Sequence, residues 1–198
     1  MEYYSRAMDP ASTKTRVLDA ATRVFLAHGF AGASMEMVRQ EAEVSNGSLY
    51  HHFPTKAQLA DALFAHTLRG FHAAIHAPIH GRATAQSGIK GLVRAYVQWV
   101  VDHPAQARLL HELKRGGGLS DAGEWTQANA EAFEVIARWT RKKMDAGEMR
   151  DLPFPVWWAL VYGPAYALTR HWSRQERPSV SPQVRAALEH AAWMAVAP

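Results

Sequence analysis

The sequence predicts an all-α protein. Apolar residues recur at spacings of three and four along most of the chain. Ser, Thr and Pro stand where those segments begin, and Gly where they end. Nowhere do apolar and polar residues alternate as they do in a half-buried strand, and there is no internal repeat. The pattern divides the chain into an N-terminal three-helix domain over residues 13–56, containing a helix-turn-helix, and a larger helical domain over 57–198. Residues 1–12 read as irregular, and Ala7-Met8-Asp9-Pro10 has the look of a cloning scar, so this stretch is expected to be disordered or vector-derived.

The first helix follows from Ser12 or Thr13 as a cap and from Val17, Leu18, Ala21, Val24 and Phe25, which share one face. Gly29 is placed to stop it, and Phe30 can drop into the same small core. Ser34 is a good cap for the second helix, and Glu36 puts negative charge in its first turn, where the helix dipole favours it. Val38 and Ala42 give it one buried stripe. A tight connection through Glu43 and Val44 leads to Ser45, which caps a third, very short helix ending before Pro54. Leu49 and Phe53 are its only apolar anchors. Ser45, Asn46, Ser48, Tyr50, His51 and His52 surround them, all small or hydrogen-bonding. So polar a helix is built to touch something, and its size suits the major groove of DNA.

Residues 13–60 resemble the DNA-binding domain of the TetR/AcrR family of bacterial transcriptional repressors. The matching pieces are Ala20-Ala21 through Phe25, His28-Gly29-Phe30, Ser34, Val44 through Phe53, and Lys56 opening the next helix. The run Gly47-Ser48-Leu49-Tyr50-His51-His52-Phe53, with a lysine three residues later, is the most specific part. Two positions depart from the family pattern: Arg39 stands where alanine is common, and Glu43 where the turn often has glycine. A non-glycine residue in a left-handed turn costs roughly 1 kcal/mol. The resemblance implies that Ser34, Ser45, Asn46, Gly47, Ser48, Tyr50, His51, His52 and Lys56 form the DNA contact. Within it, Tyr50 and His51 are expected at phosphates and Asn46 and Ser48 nearest the bases.

Charge tempers that picture. The whole chain carries a formal +4, but residues 1–56 hold six Lys or Arg and six Asp or Glu, a net of zero. The basic stripe that commonly marks a DNA-binding surface is missing. Attraction to DNA must then rest on a few groups such as Lys14, Arg16 and Lys56, on hydroxyls, and on backbone N–H groups at helix starts. The absence of cysteine excludes disulfides and thiolate metal sites. No apolar run is long enough for a membrane span and no leader stretch is evident, so a cytoplasmic protein without membrane contact is expected. No nucleophile elbow, phosphate-cradling loop or paired-carboxylate motif is present, so no enzyme and no cofactor are expected.

Beyond residue 56 the helices follow one another. Thr55 caps a helix from Lys56 that carries Leu59, Leu63, Leu68 and Phe71 and stops around Pro78 and Gly81. Ile89, Leu92, Val93, Tyr96, Trp99 and Val100 mark the next, which stops before Pro104. A shorter helix runs from Pro104 to Arg115 into the loop Gly116-Gly117-Gly118. Trp125 through Trp139 mark a long helix ending near Gly147. Pro155 fits the first turn of a helix reaching about Arg174, and Ser181-Pro182 open the last.

All seven tryptophans lie after residue 98. Large rings can simply fill a helical core, but aromatic-lined clefts between helices also hold small molecules. The family resemblance implies a ligand site here, and Phe71, Tyr96, Trp99, His111, Trp139, Trp158 and Tyr162 are the candidates, for a small apolar or aromatic effector. The resemblance also implies a homodimer through a four-helix bundle of the last two helices, with Val161, Leu168, Trp172, Leu188, Ala192 and Ala195 at the interface. His72, His76 and His80 recur every four residues, yet no acid or thiol completes a metal set, and a solvated histidine face is expected. The expected function is a ligand-responsive repressor binding palindromic double-stranded operator DNA as a homodimer. A DNA-binding structural or nucleoid-associated protein without effector is the alternative.

Overall fold

A computed structural model describes residues 10–81, 83–121, 123–172 and 179–198. The expectation for residues 1–9 lies outside the described residues. Nine α-helices are described: α1 Pro10–Gly32, α2 Met35–Ala42, α3 Asn46–His52, α4 Lys56–His76, α5 Ala85–Asp102, α6 Pro104–Arg115, α7 Glu124–Asp145, α8 Phe154–Trp172 and α9 Pro182–Val196. A short 3-10 turn, Ala77–Ile79, follows α4. No strand occurs among the described residues. Two boundaries differ from the sequence expectation. The first helix starts at Pro10, a residue type favoured at helix starts. It also continues one turn past Gly29, which sits at φ 68° and kinks the helix there.

The helix starts carry their caps. The N–H of Met37 donates to Ser34 Oγ at 3.1 Å, that of Ser48 to Ser45 Oγ at 3.1 Å, that of Gln58 to Thr55 Oγ1 at 3.1 Å, and that of Val184 to Ser181 Oγ at 3.2 Å. At α5 a carboxylate from a distant part of the chain joins in: the Ala85 N–H donates to Glu148 at 2.9 Å. That bond and the Lys143 ammonium hold the Glu148 carboxyl below its ordinary value.

The chain folds as two compact units. The first holds the described residues up to Ala65 together with Leu109–Trp125, and the second holds His66–Arg108 and Thr126–Pro198. The sequence division at residue 56 is coarser than this. Residues 57–65 and 109–125 pack with the first unit for visible reasons. A Cβ on Gly118 would lie 2.7 Å from three carbons of the Phe30 ring, so that ring is seated on bare glycine backbone. The Ser120 N–H donates to Asp61 at 2.9 Å, and the Trp125 ring meets Phe64 edge-on at 5.3 Å. The loop of three glycines is thus a docking surface for Phe30. Both α4 and α6 contribute residues to each unit.

In the second unit α5 packs against α8 and α9, and α8 against α9. Trp157, Ile75, Ile89, Leu92 and Ile136 are among its fully buried side chains. Gly88 on α5 lets the Trp139 ring of α7 lie directly on the helix backbone, since a Cβ there would come within 2.3 Å of it. Pro164 lies inside α8, where it removes one backbone donor.

Candidate nucleic-acid interface and effector site

The recognition surface starts from α2 and α3. Val38, Ala42, Val44, Leu49 and Phe53 are buried, with Val17, Ala21 and Phe25 of α1 in the same small core. Those anchors leave the other face of α3 outward. Ser34, Ser45, Asn46, Gly47, Tyr50 and His51 are exposed, while Ser48, His52 and Lys56 are half-buried. Tyr50 is 48% exposed. His51 and His52 stand with ring centres 5.3 Å apart.

The turn between α2 and α3 accounts for the two departures from the family pattern. Glu43 is left-handed at φ 53°, ψ 46°. It is the one non-glycine residue of positive φ among the described residues. Two guanidiniums hold the carbonyls around it. Arg16 donates to Ala42 O at 2.6 Å and Glu43 O at 3.0 Å, and Arg39 donates to Val44 O at 3.2 Å. Arg39 is itself held by both carboxylate oxygens of Glu36, at 2.6 and 2.8 Å. That pairing lowers the Glu36 carboxyl to about 2, with Arg39 as the main cause and Gln40 helping. An arginine at 39 therefore braces the strained turn that a glutamate at 43 creates.

Lys56 is also engaged. Its ammonium donates to the carbonyls of Phe30 and Ala33, both at 2.8 Å, and reaches Ala31 O at 3.4 Å. Residues 10–56 hold five Lys or Arg: 14, 16, 23, 39 and 56. Four have partners within the chain, since Arg23 pairs with Glu41 and the other three are described above. Arg16 and Lys56, expected at phosphate from the sequence, are both held by helix-end carbonyls. What α3 presents outward holds no lysine or arginine: an amide, hydroxyls, imidazoles and the N–H groups of its first turn.

In the second unit five of the seven candidate effector residues join a larger set of rings. Phe71 meets Trp99 at 4.9 Å and Tyr96 at 5.9 Å, Tyr96 meets Tyr162 at 5.7 Å, and Tyr162 meets Trp158 at 4.3 Å. Phe133 and Phe154, which the sequence reading did not single out, extend the set at Trp158. Trp139 instead packs on Gly88. His111 lies on the part of α6 that belongs to the first unit. Burial raises the Tyr96 hydroxyl to about 12, its bond to Thr169 at 3.0 Å offsetting part of the effect.

The expected interface residues divide. Val161, Leu188 and Ala192 are buried within the subunit, Trp172 and Ala195 are half-buried, and Leu168 is 40% exposed. Val161, Leu188 and Ala192 are therefore core residues rather than an exposed stripe, because α8 and α9 turn those positions toward each other and toward α5. The apolar surface of the pair lies one step round each helix. On α8 it comprises Val156, Leu160, Pro164 and Leu168, and on α9 Val184, Ala187, Ala191 and Met194. The histidine series also differs from expectation. His72 is buried and stacks on half-buried His76 at 5.8 Å, and only His80 is exposed, because α4 stays helical as far as His76. Among the described residues no group of three potential metal ligands forms, and no helix is long and apolar enough to cross a membrane.

A capped helix-turn-helix in one unit and a larger helical second unit define a class of bacterial regulatory proteins. Residues 17–63 match the model for bacterial regulatory proteins of the tetR family, and that segment is a DNA-binding domain of the tetR type. The chain is 26% identical over 149 residues to the HTH-type transcriptional regulator SrpR of Pseudomonas putida, covering 72% of this chain and 66% of that one. It is 38% identical over 69 residues to the HTH-type transcriptional regulator UidR of Escherichia coli, covering 35% of each. The matches thus span only part of these relatives' length. A tetR family transcription regulator from Shewanella superposes with TM-score 0.76 at 27% identity, covering 94% of this chain and 98% of that one.

Proposed function

We propose that this chain is a transcriptional repressor that binds palindromic operator DNA as a homodimer and is released by a small organic effector. The observation that carries the DNA reading is the outward face of α3, where Asn46, Ser48, Tyr50 and His51 project from a helix anchored only by Leu49 and Phe53. Paired half-sites need a dimer. The exposed apolar rows of α8 and α9 support one, since the α9 row has the three-and-four spacing of a helix-bundle seam. The aromatic set of the second unit supports an effector site, and α4, which contributes to both units, is the element whose movement would couple effector to operator. The effector needs only unequal affinity for the two arrangements. The shortage of unengaged cations within residues 10–56 disfavours a nucleoid-type protein, whose binding is driven by charge.

The test is footprinting of the DNA upstream of this protein's own gene, followed by Asn46→Ala. An amide can read adenine through two hydrogen bonds, so the variant should lose roughly 1–3 kcal/mol on the operator and little on random DNA. Equal losses on both would assign Asn46 to the phosphate backbone, and many dispersed sites in place of a palindrome would remove the repressor reading.

A further inference from the structure

Two polar atoms on α8 are sealed inside the second unit with nothing to bond. Tyr162 is 3% exposed and Trp157 fully buried. Neither the Tyr162 hydroxyl nor Trp157 Nε1 has a hydrogen-bond partner among the described residues. A buried donor without an acceptor is destabilising, and interiors rarely tolerate one. Tyr96 shows the ordinary solution, a bond to Thr169 at 3.0 Å. A phenylalanine at 162 would fill the same space without the polar penalty, so packing alone does not explain the hydroxyl.

Both donors belong to one ring cluster. The Trp157 and Tyr162 rings are 6.5 Å apart and nearly perpendicular. Their other ring contacts are Phe154, Trp158 and Tyr96. Each of these contacts is an aromatic ring, and none carries a full charge at neutral pH. Burial, with Tyr96 as a lesser cause, holds the Tyr162 hydroxyl far above the ordinary tyrosine value. It is therefore a neutral donor throughout the physiological range, and an indole N–H can only donate.

We propose that the effector is an uncharged, flat molecule bearing a carbonyl-type oxygen, and that the Tyr162 hydroxyl and the Trp157 indole N–H donate to it from within the aromatic cluster. The proposal rests on the effector reading above and narrows it. Aromatic faces bind the flat body, and the two unused donors select an acceptor. A carboxylate would enter this cluster without a cation to pair it, and an ammonium would point its own donors at the Trp157 N–H.

Four probes of one size test this: acetylnaphthalene, ethylnaphthalene, naphthoate and naphthylmethylammonium, titrated into the full-length protein by calorimetry. The ketone should bind about tenfold or more tighter than the hydrocarbon, the factor that a well-made buried hydrogen bond supplies. The indole N–H resonance of Trp157 should move downfield with the ketone and stay in place with the hydrocarbon. In Tyr162→Phe the preference should shrink to a few-fold or less, while the melting temperature without probe stays level or rises. A residue that was merely structural would lower it. Equal binding of ketone and hydrocarbon, a preference that survives Tyr162→Phe, or tightest binding by either ion overturns the donor assignment and leaves the aromatic effector site standing. If none of the four binds, the effector reading itself falls, and the donor assignment with it.

Discussion

The Lys56 ammonium lies 4.6 Å above the centre of the Phe30 ring while donating to the Phe30 carbonyl at 2.8 Å. One residue at the start of α4 thus fastens the end of α1 through both its main chain and its ring, and the ring in turn sits on Gly118. The first prediction is that Lys56 matters more for the fold than for DNA. Lys56→Met leaves the carbonyls of Phe30 and Ala33 without their donor, at a cost of about 1–3 kcal/mol. Denaturant melts should show that loss. Operator affinity, corrected for the folded fraction, should change little. A variant of native stability that binds DNA tenfold more weakly would return Lys56 to the phosphate contact.

Salt dependence gives a second prediction from the same geometry. If Arg16 and Lys56 keep their carbonyls, Lys14 is the remaining cation of the helix-turn-helix, about two per dimer. The slope of log K against log salt would then be about −2. Counting all three as phosphate ligands gives about −5. Binding isotherms over a range of salt separate the two values. The steeper slope would mean that Arg16 and Lys56 release their carbonyls on DNA, or that Lys114 and Arg115, at the end of α6 in the first unit, reach phosphate.

How much was legible in the sequence follows the range of the interaction. Caps and stops depend on residues three or four apart, so Ser34, Ser45, Thr55 and Ser181 could be assigned from sequence, and so could the limits of α2, α3 and α6. The polar face of α3 was readable for the same reason, since two anchors four residues apart fix which side is buried. What failed depends on distant partners. The guanidinium of Arg16 is 26 residues from the Ala42 carbonyl it binds, and no local pattern announces that. Val161, Leu188 and Ala192 carry the right composition for an interface, but which of two apolar faces turns inward is decided by where α5 lies. The triglycine loop read as a simple break, because the use of Gly118 as a seat for Phe30 needs a contact 88 residues away in sequence.

The third prediction concerns Gly88. The Trp139 ring occupies the place of a side chain there, with a Cβ approach of 2.3 Å to one ring carbon and 2.6 Å to a second. An indole held between two helices cannot retreat as a flexible chain end can. Gly88→Ala should therefore cost about 1–3 kcal/mol, the usual penalty of overpacking, even though alanine favours the helix by about 1 kcal/mol. Combining it with Trp139→Leu should recover part of the loss, and a double-mutant cycle measures the coupling. Additive costs would show that the ring moves aside.

The last prediction is acid sensitivity of the second unit above the carboxylate range. Burial, with His76 as a second cause, lowers His72 to about 4 from 6.5. His76 is lowered too, by burial and by His80, with the Ala132 carbonyl opposing. A histidine held neutral by the fold binds fewer protons folded than unfolded. Its contribution is therefore complete above pH 6.5 and is lost as pH falls toward about 4. The depressed carboxyls of Glu36 and Glu148 act lower, since their stabilisation is complete above 4.5. Between pH 6.5 and 4.5 the loss should come chiefly from the α4 histidines, by at most about 3 kcal/mol for His72. Calorimetric melts across that window should show the melting temperature falling with pH. His72→Gln, which keeps a polar side chain but cannot titrate there, should flatten the dependence. If wild type and His72→Gln fall in parallel, the loss belongs to other groups and His72 charges without cost.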